Sequence, residues 1–110
     1  MLPKSRLAKI SEELFARARE RSDRCLGIPD AEAAAVSVGF SAVEGVEALI
    51  TLGRSGVFSP RCLRGAAEVT FEDAARILRE LPSLGESPPY ALVSWWCWAS
   101  ELRVAWTLRE

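Results

Sequence analysis

Residues 33–52 read AAAVSVGFSAVEGVEALITL, and the rest of the chain is organised around this stretch. It carries no charge except Glu44 and Glu47, and small residues recur in it at intervals of about four. Small residues at that spacing lower the relief of a helix surface and let a neighbouring helix approach closely. An interior glycine costs a helix roughly 1 kcal/mol relative to alanine, so Gly39 and Gly45 indicate a packing requirement. We therefore predict one helix over residues 30–53 against which other helices pack.

Three more helices are predicted from apolar residues spaced three or four apart. They cover residues 4–25, 60–81 and 88–109. The first ends before Gly27, which is a typical helix stop. The other two begin at the pairs Ser59-Pro60 and Ser87-Pro88, in which serine is a good N-cap and proline a good first helical residue.

The third predicted helix has two interpretations. Thr70 followed by Asp73 resembles a capping box, so a fresh helix could begin there and leave residues 60–65 as a separate turn. Otherwise the helix continues through residues 65–69. Sequence patterns leave both interpretations open.

Short connections between successive helices favour antiparallel neighbours. We therefore predict an all-α protein, an antiparallel up-and-down four-helix bundle in a single helical domain of residues 1–110. With 110 residues and 49% apolar residues, the chain is long enough to bury a core without disulfides or metals.

A possible duplication supports two similar helical hairpins. An offset of 57 residues places Ala48 over Ala105 and Glu44 over Glu101 within a longer run of matches. An offset of about 60 similarly places FEDAARILRE over SEELFARARE. Alanine-rich helices also match by chance, so a repeat and a coincidence both remain open.

The amino-acid composition removes several classes of enzyme. The chain contains no histidine, which excludes Ser-His and Cys-His nucleophile pairs, histidine-ligated metals and the Glu-x-x-His di-iron pattern. It also contains no asparagine or glutamine, which is typical of a thermophile, although a GC-rich genome would favour arginine and alanine too. We expect no cofactor and no metal.

The three cysteines, Cys25, Cys62 and Cys97, stand far apart and form no C-x-x-C pair. Neither a zinc site nor a redox dithiol is indicated by this spacing. We predict that they are small buried apolar residues, with one intramolecular disulfide as the alternative.

Three glutamates are candidates for carboxylate chemistry. Glu44 and Glu47 lie three residues apart and hence on nearly one face of the predicted helix, and Glu101 could approach them in a bundle. A buried cluster would have raised pKa values and could bind a hard cation or act as a general acid or base. The alternative is that these glutamates pair with arginines at the edge of the bundle.

Three arginines, Arg54, Arg61 and Arg64, lie in or beside one predicted loop and could form a phosphate-binding surface for nucleic acid. The formal net charge of -1 does not favour that function, because no overall field would attract a polyanion. A solvated charged surface is the alternative.

All four tryptophans fall on the predicted fourth helix. Trp95, Trp98 and Trp106 share one face, whereas Trp96 points elsewhere. Apolar residues on two faces predict contact with a second neighbour, most simply in a homodimer or with another helical protein.

Two resemblances concern the same segment. Ala42, Glu47, Ala48, Leu52 and Gly53 resemble the A-x4-D-A-x3-L-G run of a small archaeal all-helical family, domain of unknown function 357, with Glu47 in place of the aspartate. This resemblance implies a helical fold and no particular activity.

The run FSAVEGVEALITLGRSG is also similar to HEPN-type helical bundles, some of which are ribonucleases with an Arg-x4-6-His motif. Because the chain has no histidine, that resemblance implies an inactive or scaffolding member.

No apolar segment typical of a signal peptide occurs in residues 1–10, and the glutamates, glycines and serines of residues 33–52 argue against lipid exposure. We therefore expect a cytoplasmic protein with no membrane partner and a non-enzymatic role in protein–protein interaction. A nucleic-acid-associated module and a carboxylate-based, metal-dependent enzyme are the alternatives.

Overall fold

The structure contains helices and a sheet. It is a computed structural model that describes residues 2–64, 67–68, 71–84 and 89–109, and their side chains except those of residues 62–64, 67–68, 71, 73, 89–91 and 101. The elements within this part are α1 (Lys4–Arg19), β1 (Cys25–Gly27), α2 (Ile28–Ser37), α3 (Ala42–Arg54), β2 (Phe58–Arg64), β3 (Ala67–Glu68), α4 (Phe71–Glu80), α5 (Pro89–Glu101) and β4 (Val104–Leu108).

The predicted all-α four-helix bundle is wrong, because an antiparallel sheet lies among the helices. Strand β4 pairs with β1 on one side and with β2 on the other, and the two-residue β3 pairs with the end of β2. Trp106 of β4 lies opposite both Leu26 and Pro60. The last residues of the chain therefore join two segments that are far apart in sequence.

The predicted fourth helix, residues 88–109, ends early and becomes a strand. Helix α5 ends at Glu101, and Arg103 adopts a left-handed backbone with φ of 54° before β4 begins. The sequence VAWTL then has the β-branched and aromatic residues that favour strands. The proposed repeat therefore aligns Ala48, which lies in a helix, with Ala105, which lies in a strand.

The predicted third helix, residues 60–81, is also wrong over its first half. Ser59 and Pro60 lie inside β2, where both pair with residues of β4. Helix α4 begins at Phe71, which agrees with the alternative start near Thr70, although Thr70 itself lies outside the described residues.

The predicted helix over residues 30–53 is two helices, α2 and α3, whose axes are bent by 119° relative to one another. Gly39 has φ of 89°, a left-handed conformation that ends α2 and that glycine adopts without steric strain. Ser41 then begins α3, because its hydroxyl accepts a hydrogen bond from the backbone N–H of Glu44 at 3.3 Å. The chain folds back at this point instead of continuing.

The close approach expected from the small residues occurs between these two helices. A Cβ placed on Gly45 of α3 would lie 2.7 Å from the carbonyl carbon of Ala31 in α2, and 3.0 Å from the Cβ of Ala35. Only glycine fits a helix surface at that separation from a neighbouring backbone. The small residues therefore serve the contact between two halves of the stretch rather than contact with a separate helix.

The predicted first helix, residues 4–25, stops at Arg19 and is followed by a turn and by β1. Its buried face contributes Ile10, Leu14 and Ala18 to the core. Side chains from the other helices and from the sheet meet this face in the core. Among the described residues, the largest fully buried side chains are Trp106, Phe58, Ile10, Leu14, Leu26, Ile28, Leu49, Ile50, Ile77 and Val46.

In the described part of the chain, no single helix is long and apolar enough to cross a membrane. Among the helices that the structure describes, the bent pair α2 and α3 together meets that length and composition.

Candidate functional site

Glu44 is a helix cap that also binds an arginine. Its carboxylate accepts hydrogen bonds from the backbone N–H of Ser41 at 2.8 Å and from the Ser41 hydroxyl at 3.1 Å. It also forms an ion pair with Arg6 of α1, and the Arg6 guanidinium lies 5.1 Å from the centroid of the Phe40 ring. Glu44 thus holds α1 against the junction of α2 and α3.

The surroundings of Glu44 lower its pKa, whereas a buried carboxylate cluster would raise it. The backbone N–H of Ser41 and, next, the Arg6 guanidinium lower the pKa of Glu44, because both stabilise the ionised carboxylate. A general acid near neutral pH would need a raised pKa. Glu44 is therefore suited to a structural role.

This pKa leads to a prediction about pH. Because the folded pKa lies below the ordinary value of 4.5, ionised Glu44 stabilises the fold above that value, and the contribution disappears as pH falls through the lowered pKa. We expect Glu44→Gln to lower the free energy of unfolding at neutral pH and to have a smaller effect at about pH 3. Urea unfolding of both proteins at the two pH values measures this, and a difference independent of pH would contradict the assignment.

The other two glutamates do not join Glu44 in a described metal site. The main-chain carbonyl of Glu47 accepts a hydrogen bond from Thr51, and the side chain of Glu101 lies outside the described residues. Among the residues described, no group of three or more aspartate, glutamate, cysteine or histidine side chains could hold a metal ion.

The three candidate phosphate-binding arginines have different environments. Arg54 donates hydrogen bonds to the backbone carbonyls of Leu81 and Pro82, which follow α4. Arg61 approaches the sulfur of Cys25, with Nη1 at 3.9 Å. The side chain of Arg64 lies outside the described residues. Arg54 therefore ties α3 to the end of α4, and this contact occupies much of its donor capacity.

The four tryptophans divide between the core and the surface. Trp106 is fully buried and Trp95 is 6% exposed, and their ring centroids are 5.7 Å apart. Trp96 and Trp98 are partly buried and pack against the edge of the same core. Trp95 and Trp106 thus serve the protein's own core, whereas Trp96 and Trp98 retain exposed surface.

Helix α5 has an outer face without charge. Val93 is 51% exposed, and Cys97, one turn later, is exposed as a free thiol. Trp96 borders this pair, and no charged residue occurs between Pro89 and Ser100. We call Val93, Trp96 and Cys97 the α5 outer face. A solvent-exposed helix face normally carries charged side chains, so the lack of charge on the α5 outer face is unusual.

A cleft of about 330 Å³ lies between the start of α2 and the turn from α5 to β4. Arg21 and Asp30 form a bidentate ion pair at one side of the cleft. Asp30 also accepts a hydrogen bond from the backbone N–H of Gly27 at 2.8 Å. Asp23 and Arg103 also line the cleft. We call this space the α2 cleft.

The sequence signals for the α2 cleft are incomplete. The sequence predicts the end of one helix at Gly27 and the start of the next near Asp30, because Asp30 stands at a position typical of the first helical turn. The sequence does not predict the pairing of Arg21 with Asp30 or the position of Arg103, because both depend on where β1 and β4 meet.

Asp30 raises the pKa of Arg21, chiefly through its hydrogen bond to the guanidinium, so this ion pair is intact at neutral pH.

No known family, curated protein or solved structure matches the chain. The resemblances to domain of unknown function 357 and to HEPN-type bundles remain predictions from the sequence.

Proposed function

We propose that the protein is a non-enzymatic cytoplasmic interaction module that forms a homodimer through the α5 outer face. The uncharged, solvent-exposed surface of α5 carries this proposal. A second copy of the chain is the simplest partner, because a face without charge can pack on itself without repulsion between like charges.

The residues of the α5 outer face have the properties of interface residues. Val93 has half of its surface in water, and burying that surface would be favourable. Trp96 is partly anchored in the core, so a partner could cover a tryptophan that is already held in place. A helix of 13 residues is only about 20 Å long, so neighbouring surface must contribute to a stable interface.

The dimer is expected to be broken by a charge at the centre of this face. Val93→Glu should shift the protein to monomer, because each copy would bring a carboxylate into an apolar contact. Trp96→Glu should do the same. Sedimentation equilibrium over a range of protein concentrations measures the change, and we expect a dissociation constant that rises about tenfold or more.

Val36→Glu is the matched control. Val36 is 59% exposed on α2, so the same exchange adds the same charge at a similar exposed helical position elsewhere. It should leave the dimer intact. A wild-type protein that sediments as a monomer at every concentration would refute the proposal, and so would equal effects of the two variants.

The thiol of Cys97 supplies an independent measurement. It lies on the α5 outer face, whereas Cys25 is only 5% exposed. Labelling of Cys97 by a thiol reagent, followed by peptide mass spectrometry, should slow as protein concentration rises. An unchanged rate across the dimerisation range would place the interface elsewhere.

A further inference from the structure

We propose that the α2 cleft binds a small zwitterion of the amino-acid class, with its carboxylate on Arg103 and its ammonium group on Asp23. The volume of about 330 Å³ falls at the lower end of the range of small-ligand sites. The site is separate from the α5 outer face, so neither proposal depends on the other.

The ion pair between Arg21 and Asp30 is part of the cleft wall. Its hydrogen bonds within the protein leave few donors and acceptors for a ligand. Arg21 Nη1 donates to Asp30 Oδ2 at 2.9 Å and to the backbone carbonyl of Cys25 at 3.0 Å, and Nη2 donates to Asp30 Oδ1. The backbone N–H of Gly27 also donates a hydrogen bond to Asp30 Oδ2 at 2.8 Å. The two charges neutralise each other, and their contacts hold α2 beside β1.

Arg103 and Asp23 are the other two charged residues of the cleft, one of each sign. Asp23 also contributes, after Asp30, to the raised pKa of Arg21. Arg103 is exposed, and no ion pair within the described part of the chain includes it. Asp23 is also exposed, and its Oδ1 accepts a hydrogen bond from the backbone N–H of Cys25 at 3.0 Å, which holds the carboxylate at the cleft. A simple anion would meet Arg103 but be repelled by Asp23, and a simple cation would have the opposite difficulty. A zwitterion is attracted by both.

Most of the rest of the cleft wall is apolar, and Ser100 adds an exposed hydroxyl group. Ile28 and Val104 are 1% and 2% exposed and Ala105 is 7% exposed, so these side chains are packed into fixed positions, and Pro29 adds a rigid ring. A wall of this kind suits a small apolar side chain. Alanine, valine and leucine are therefore the amino acids with which binding should be tested.

Isothermal titration calorimetry of the full chain with L-alanine, L-valine and L-leucine tests the proposal. We expect at least one to bind, and we expect Arg103→Ala and Asp23→Asn each to weaken that binding about tenfold or more. Asn at position 23 keeps an oxygen for the Cys25 N–H, so the turn should stay intact. Arg79→Ala, which removes an arginine from an exposed position on α4, should change the affinity less than twofold.

Two analogues test the need for both charges. Isovalerate lacks the ammonium group of valine and isobutylamine lacks the carboxylate, so each should bind about tenfold more weakly than valine. No binding of the three amino acids up to about 10 mM would overturn the proposal. Equal affinity for isovalerate, or equal loss in Arg79→Ala and Arg103→Ala, would overturn it as well. Thermal unfolding of each variant identifies any that fails to fold, and Arg103→Gln, which also removes the positive charge, then replaces Arg103→Ala.

Discussion

Replacing Gly45 with alanine is expected to lower the free energy of unfolding by about 3 kcal/mol. The new Cβ would lie 2.7 Å from the carbonyl carbon of Ala31 and closer still to its oxygen. These are backbone atoms of a packed helix, so relief requires that α2 and α3 separate. The gain of roughly 1 kcal/mol that alanine brings to a helix interior does not offset this strain.

Gly53→Ala is the matched control for that experiment. Gly53 is also in α3, but its nearest neighbours would be the Nε1 atom of Trp106 at 3.3 Å and Cδ1 at 3.6 Å, which belong to a side chain. A shift of a few tenths of an ångström relieves that contact. We expect a change within about 1 kcal/mol of the wild-type value. Urea unfolding of the two variants measures the difference, and equal stabilities would contradict the close packing of α2 on α3.

Trp106→Ala is expected to lower the free energy of unfolding by about 4 kcal/mol. Trp106 is fully buried at the centre of β4, between Leu26 and Pro60 of the neighbouring strands, and its ring packs against Trp95. Removing the indole leaves a large cavity where the sheet meets the helices. A typical domain has only about 5–15 kcal/mol of stability, so this variant would be largely unfolded in mild denaturant.

Trp106→Phe separates loss of packing from loss of hydrogen bonding. The buried Nε1 atom of Trp106 has no hydrogen-bond partner in the described part of the chain, so phenylalanine removes no bond and fills most of the space. We expect it to cost only about 1 kcal/mol. Chemical unfolding of both variants tests this, and a loss as large as that of Trp106→Ala would show that the indole N–H makes an essential contact.

The break between α2 and α3 could have been predicted from local signals. Ser41 followed by Glu44 is a capping-box pattern, and Gly39 stands two residues before it. The uninterrupted apolar character of residues 33–52 obscured these signals, because it favours one long helix. The same capping box explains the position of Glu44, which the proposed repeat aligns with Glu101.

The sheet could not be predicted in the same way. Strand β4 is held by β1, about 80 residues earlier, and by β2, so its conformation depends on tertiary contacts rather than local propensity. Residues 102–106 continue the apolar helical spacing of α5, and no glycine or proline interrupts them. Arg103, which takes the left-handed turn, is a residue that rarely adopts this conformation.

The candidate surfaces were foreseen in part. The sequence predicts a second apolar face on the tryptophan-rich helix, and Val93 and Trp96 retain exposed surface. The prediction that Cys97 is buried is wrong, because its thiol is exposed beside them. The α2 cleft could not be predicted, because Asp23 and Arg103 belong to turns that come together only when β1 pairs with β4. Both surfaces depend on where α5 ends and β4 begins.

The position of β4 in the sheet is therefore the central claim, and nuclear Overhauser effects between backbone protons test it most directly. We predict cross-strand signals between Cys25 and Thr107 and between Ser59 and Thr107, because β4 lies between β1 and β2. Sequential helical signals that continue from α5 through residues 104–108, without any cross-strand signal, would contradict the fold and both proposed surfaces.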